Sequence, residues 1–147
     1  MIGLRTRSVH VAFALAALAL TAVPARAATM TFHADLNGAS QVPPVSGNAA
    51  GSAEVTYDTA TKNLSWTVTY SGLTGDATAA HFHGPAKAGK NASPVVPLSG
   101  SLASPVKGTA TLTADQEKDL MAELWYLNIH TGAFPGGEIR GQVLKAK

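Results

Sequence analysis

The chain has 147 residues, 46% of them hydrophobic, with 11 Lys+Arg, 9 Asp+Glu and no cysteine. The absence of cysteine excludes disulfide staples, thiolate nucleophiles and cysteine-ligated zinc or iron–sulfur sites, so packing, hydrogen bonds or a bound ion must hold the fold. The formal charge of +2 depends on Arg5, Arg7 and Arg26. Without these three, eight basic groups face nine acidic ones, Arg140 is the only arginine left, and no nucleic-acid partner is predicted.

The first stretch reads as an export signal. Arg5 and Arg7 give a positive start, Val11 to Val23 an apolar run, and Ala25-Arg26-Ala27 a small-x-small cleavage pattern. The run is too short for a membrane span, which takes about 20 residues. Residues 1–27 are therefore predicted to be a signal peptide and 28–147 one domain, exported to a periplasm or secreted. No membrane span is predicted in the mature part.

From Met30 the hydropathy alternates with period two. Met30, Phe32, Ala34 and Leu36 share one face of a strand, and Thr31, His33 and Asp35 the other. Asn37-Gly38 ends that strand, and Pro43-Pro44 bars regular pairing beyond it. Further strands are predicted near Gly51 to Tyr57, Leu64 to Tyr70, Ala79 to His83, Val95 to Leu98 and Lys107 to Leu112. Thr113 reads as the N-cap of a helix over about 114–122, with Gln116 at the capping-box position and Asp115 and Glu117 in the first turn. Glu123 to His130 and Glu138 to Leu144 complete the strands, joined through Ala133 to Gly137 as a hairpin. Eight or so short strands with one short helix predict an all-β fold, an antiparallel sandwich or barrel of immunoglobulin-like or Cu/Zn superoxide dismutase-like type.

Three histidines stand in two of these strands, His81-Phe82-His83 and Asn128-Ile129-His130. Alternation sends Phe82 into the core and both imidazoles of the His-x-His step to the other side. On the later strand Trp125, Leu127 and Ile129 are apolar, so Tyr126, Asn128 and His130 share the opposite face. On the last strand Ile139, Gly141 and Val143 face inward, and Glu138, Arg140 and Gln142 outward. This parity sets His130 against Glu138 or Arg140.

One reading is a three-histidine site for a single copper or zinc ion, His81, His83 and His130, because imidazole suits both ions. His33 is a candidate fourth ligand and Glu138 a candidate ligand or supporting carboxylate. The other reading is a polar face that hydrogen-bonds the loops. No catalytic group, phosphate cradle or organic cofactor site is indicated. No Gly-x-Ser-x-Gly elbow exists, Gly136-Gly137 suits a tight turn, and Trp66 and Trp125 fall on apolar faces.

Five ordered motifs carry a resemblance. Leu36 to Val45, Tyr70 to Leu73, Ala80 to Ala86, Tyr126 to Thr131 and Phe134 to Val143 together resemble the chordin-type CHRD domain. The family's usual Glu-Val-Pro-Pro stands here as Gln41-Val42-Pro43-Pro44. The resemblance implies an exported β-rich domain. In animals such domains occur within a secreted antagonist of growth-factor signalling, whereas bacterial members are often small stand-alone proteins. The animal role does not carry over to a short single-domain chain, because family does not fix function. The His-x-His step is also similar to that of Cu/Zn superoxide dismutase. That enzyme's two-metal set needs more ligands than the four histidines after residue 27, and dismutase activity does not follow. The leading expectation is a non-catalytic copper- or zinc-binding protein. The alternative is a metal-free binding or matrix module that meets a protein or surface through the loops Val42 to Asn48 and Gly84 to Pro94.

Overall fold

The alternating segments become strands because each can bury one face and solvate the other. The structure, a computed structural model, describes residues 28–147, and the predicted signal peptide over 1–27 lies outside them. The strands are β1 (Thr29–Asn37), β2 (Ala50–Asp58), β3 (Asn63–Ser71), β4 (Ala77–His83), β5 (Pro94–Pro97), β6 (Val106–Thr111), β7 (Tyr126–Thr131), β8 (Ile139–Gln142) and β9 (Leu144–Lys145). Helix α1 (Ala114–Met121) lies between β6 and β7. Pairing is antiparallel throughout, in the order β5-β4-β7-β8-β1-β2-β3-β6, with β9 also on β1. The sheet curls into a nearly closed, all-β barrel, as the alternation predicts.

The predicted helix forms with its capping box. The Thr113 hydroxyl accepts from the Gln116 backbone N–H, and the Gln116 side chain accepts from the Thr113 N–H. The helix ends where Glu123 takes a left-handed conformation (φ 59°). Glu123 N–H then donates to Leu120 O and Leu124 N–H to Asp119 O, closing the last turn as a Schellman motif does. This exit delays β7 to Tyr126, three residues after the predicted start.

The last predicted strand is also divided. Val143 N–H donates to Trp125 O, Val143 is buried, and the chain then leaves β7 for β1 as β9. At Gly141 a Cβ would sit 2.2 Å from Asp35 O, so only glycine lets β8 press against β1 and join the two halves of the barrel. Phe82 fills the interior between Trp66 and Trp125, with ring centroids 5.5 and 5.8 Å away. Among the described residues no helix is long and apolar enough to cross a membrane.

Parity on the polar side holds, but the predicted outward residues are not in solvent. Glu138 and Arg140 are each 2% exposed. The β3–β4 loop covers Glu138 through Thr74, and the loop after β4 folds over Arg140. Ala86 N–H donates to Leu124 O, the Arg140 guanidinium donates to Asn91 Oδ1 and Lys90 O, and Asn91 Nδ2 donates to Val42 O. The outer face of β4-β7-β8 is thus a buried polar layer under two loops, which raises the cost of any unpaired group in it.

Candidate metal centre

β4 and β7 pair with Ala79 opposite His130 and His81 opposite Asn128. This register brings the two histidine motifs together on the polar face. One ligand atom from each of His81, His83 and His130 lies within 4.8 Å of the others. His81 Nδ1 and His130 Nε2 are 3.2 Å apart. His83 is buried, and His81 and His130 are half-buried.

Backbone carbonyls set the orientation of two rings. Ala92 O lies 2.9 Å from His83 Nδ1 and Pro135 O lies 2.8 Å from His130 Nδ1. A carbonyl only accepts, so both Nδ1 atoms carry the proton and, in the neutral rings, both Nε2 atoms carry a lone pair. Both lone pairs point toward Asn128, whose Oδ1 is 2.9 Å from each Nε2, and that of His130 also faces His81 Nδ1. A ring whose far nitrogen is held by a carbonyl is the usual way a protein fixes a metal-binding imidazole.

The surroundings favour neutral rings. Burial pushes the His81 pKa below its ordinary value, and His130 and His83 push it the same way. Burial also pushes His83 down, against the bonds from Ala92 and Asn128 that raise it. Below His83 the Tyr126 ring is stacked at 4.7 Å, nearly parallel, and Arg140 Cζ lies 3.4 Å from the same ring's centroid. Neutral imidazole is the form that binds a metal ion.

The other two candidates lie elsewhere. His33 sits on the outer face of β1, with Nε2 2.8 Å from Asp35 Oδ1 and Nδ1 2.7 Å from Glu54 Oε1. Both ring nitrogens are therefore taken by carboxylates, and its pKa is raised by Asp35 and then by Glu54. The Glu138 carboxylate accepts from the Thr131 hydroxyl (2.7 Å), the Thr74 hydroxyl (2.9 Å) and the Thr74 N–H (2.9 Å). Two of these donors belong to the β3–β4 loop and one to β7, and together they occupy the carboxylate, so it does not orient a histidine. That task falls to Ala92 O, Pro135 O and Asn128. Of these, Asn128 was visible beforehand as a residue on the same face two positions from His130. The two carbonyls have no side-chain signal to find.

A β-barrel with a buried polar layer holding three convergent imidazoles defines the class. A family model described as the CHRD domain matches residues 32–143, and the chain belongs to that family. No curated protein and no solved structure matches the chain.

Proposed function

We propose that this CHRD-domain protein is exported and binds one copper or zinc ion through His81, His83 and His130, without turnover. The observation carrying this reading is the pair of carbonyl anchors, Ala92 O and Pro135 O. They turn the Nε2 lone pairs of His83 and His130 into one small space beside His81. The Glu138 carboxylate, the candidate base on the same face, is held by three donors, which favours binding over catalysis. Storage, delivery or stabilisation of the barrel are all served by such a site. The leader over 1–27 supports export, and mass spectrometry of the mature N-terminus should find cleavage after Ala27.

Calorimetric titration with zinc and copper tests the metal reading. The expected result is one ion per chain, lost in His81→Ala and in His130→Ala. Binding no tighter than about millimolar, the level of loose surface histidines, overturns it.

The metal-free alternative has one observation in its favour. Asn91 ties the Gly84 to Pro94 loop to Val42, and an apolar cleft opens beside that junction, lined by Val42, Pro43, Val45, Phe134 and Pro135. If the titration gives no metal, that cleft is where a partner should be mapped.

A further inference from the structure

The Asn128 amide is the polar group shared by His83 and His130, and its placement carries two conflicts. At one end Oδ1, which has only lone pairs, faces the lone pairs of two Nε2 atoms at 2.9 Å. At the other end Asn128 Nδ2 and Gln41 Nε2 both border the space beside Gly137, where a Cβ would be 2.9 Å from the former and 2.4 Å from the latter. Gln41 is 5% exposed, and its Nε2 has no acceptor. Acceptors face acceptors at the first end, and a buried donor lacks an acceptor at the second.

The oxygen and nitrogen of a carboxamide are nearly interchangeable in shape, so half-turns of the two amides give distinct hydrogen-bond states. Turning Asn128 removes both conflicts. Nδ2–H then donates to the histidine lone pairs, and Oδ1 turns to the side on which Gln41 Nε2 lacks an acceptor. Turning Gln41 instead acts only on the outer end, bringing Gln41 Oε1 to the side of Asn128 Nδ2 while Asn128 Oδ1 still points at the two lone pairs. That second state is satisfied when a cation lies among those atoms.

We infer that Asn128 Oδ1 is the fourth ligand of the proposed metal centre, and that the Asn128 and Gln41 amides turn together when the ion binds. The inference rests on the three-histidine reading. In a tetrahedral site with bonds of about 2.0–2.1 Å, ligand atoms lie about 3.3 Å apart. The Asn128–His83 and Asn128–His130 separations of 2.9 Å and the His81–His130 separation of 3.2 Å are within a few tenths of that. A neutral amide oxygen completes three imidazoles as a weak fourth donor, a ligand type that copper sites accept in an axial position. Gly137, with φ 113° and no side chain, leaves the space in which the two amides can turn.

The test uses zinc, which is diamagnetic, on the whole exported chain, with calorimetry and nitrogen-15 NMR of the side-chain NH2 groups. Loss of signals in Asn128→Asp and Gln41→Glu assigns them. In the wild type, both NH2 pairs are expected to shift together and saturate at one zinc per chain. Asn128→Ala is expected to weaken zinc binding about tenfold or more. Asn128→Asp keeps the shape, cannot donate to the histidines and adds a charged ligand, so it is expected to bind about tenfold tighter. If Asn128→Ala fails to fold, Asn128→Asp and the wild-type NH2 signals decide alone. Wild-type binding with unmoved NH2 signals, and with the folded variants within about twofold of the wild type, overturns this inference and leaves the three-histidine site standing. A wild type that binds no zinc overturns both.

Discussion

His33 and the trio of His81, His83 and His130 stand on outer faces of the same barrel, yet they meet opposite chemistry. His33 is gripped by two carboxylates at 2.7 and 2.8 Å on a face open to water. The trio is held by two backbone carbonyls and one amide beneath a folded loop. Carboxylates favour the imidazolium and raise the His33 pKa, whereas burial favours neutral rings and lowers those of His81 and His83. The same side chain is thus biased toward its protonated form in one region and toward its neutral form in the other. The partners of the ring nitrogens make the difference, and the proposed metal site rests on it.

Metal titration should separate the regions most sharply. His83→Ala is expected to abolish stoichiometric zinc or copper binding, while His33→Ala leaves the affinity within about twofold. At a free metal concentration of 100 times Kd, the ion should stabilise the wild type and His33→Ala against urea by about 2.7 kcal/mol. His83→Ala should gain nothing. Equal loss in both variants would erase the comparison.

Gly137→Ala should come next, because it strikes only the trio's support. Its Cβ would meet Gln41 Nε2 and Asn128 Nδ2, and its φ of 113° is one that alanine adopts only under strain. The two costs together predict a loss of about 2–3 kcal/mol in urea unfolding, with weaker metal binding beside it. His33 should titrate as in the wild type.

Proton NMR titration of the four ring signals gives the two signs. His33 should have its midpoint above 6.5, and His81 and His83 below it. A raised folded pKa means that His33 contributes stability below pH 6.5, lost as pH rises through its own value. That contribution is small, since the His33 side chain is 37% exposed and Asp35 is 85% exposed. The depressed values of His81 and His83 mean stability present above pH 6.5 and lost as pH falls through their folded values. Metal affinity should fall over that same acid range, because protons and the ion compete for the same lone pairs.

Strand alternation made the barrel legible: Phe32, Val55, Trp66, Phe82 and Ile129 fall inside as their parity predicts. The capping box at Thr113 was legible for the same local reason. The trio was legible as well, since His-x-His and the Asn128-x-His130 step share one side of paired strands. The anchors were not. Ala92 and Pro135 act through carbonyls that every residue has, and only the fold of the loops brings them to a ring. Glu138 illustrates the limit from the other side. Parity put it near His130, but Thr74, from a loop more than 60 residues earlier, takes its carboxylate. The split of the final strand at Val143 likewise depends on a long-range choice between β7 and β1, which period-two hydropathy does not encode.

The smallest effect is the most discriminating for the His33 side. Glu54→Gln removes the carboxylate bonded to Nδ1 and leaves Asp35 on Nε2. The His33 midpoint should move down toward 6.5 without reaching it, because the Asp35 bond is the larger cause of the rise. Glu54 is 64% exposed, so the stability change should stay within about 0.5 kcal/mol and shrink further as salt screens the pair. Zinc and copper affinity should not change, for the strands carrying His33 and Glu54 lend no atom to the trio. A drop in metal affinity in Glu54→Gln would link the two regions through the barrel wall. His33 would then have to be read as part of the centre and not as its contrast.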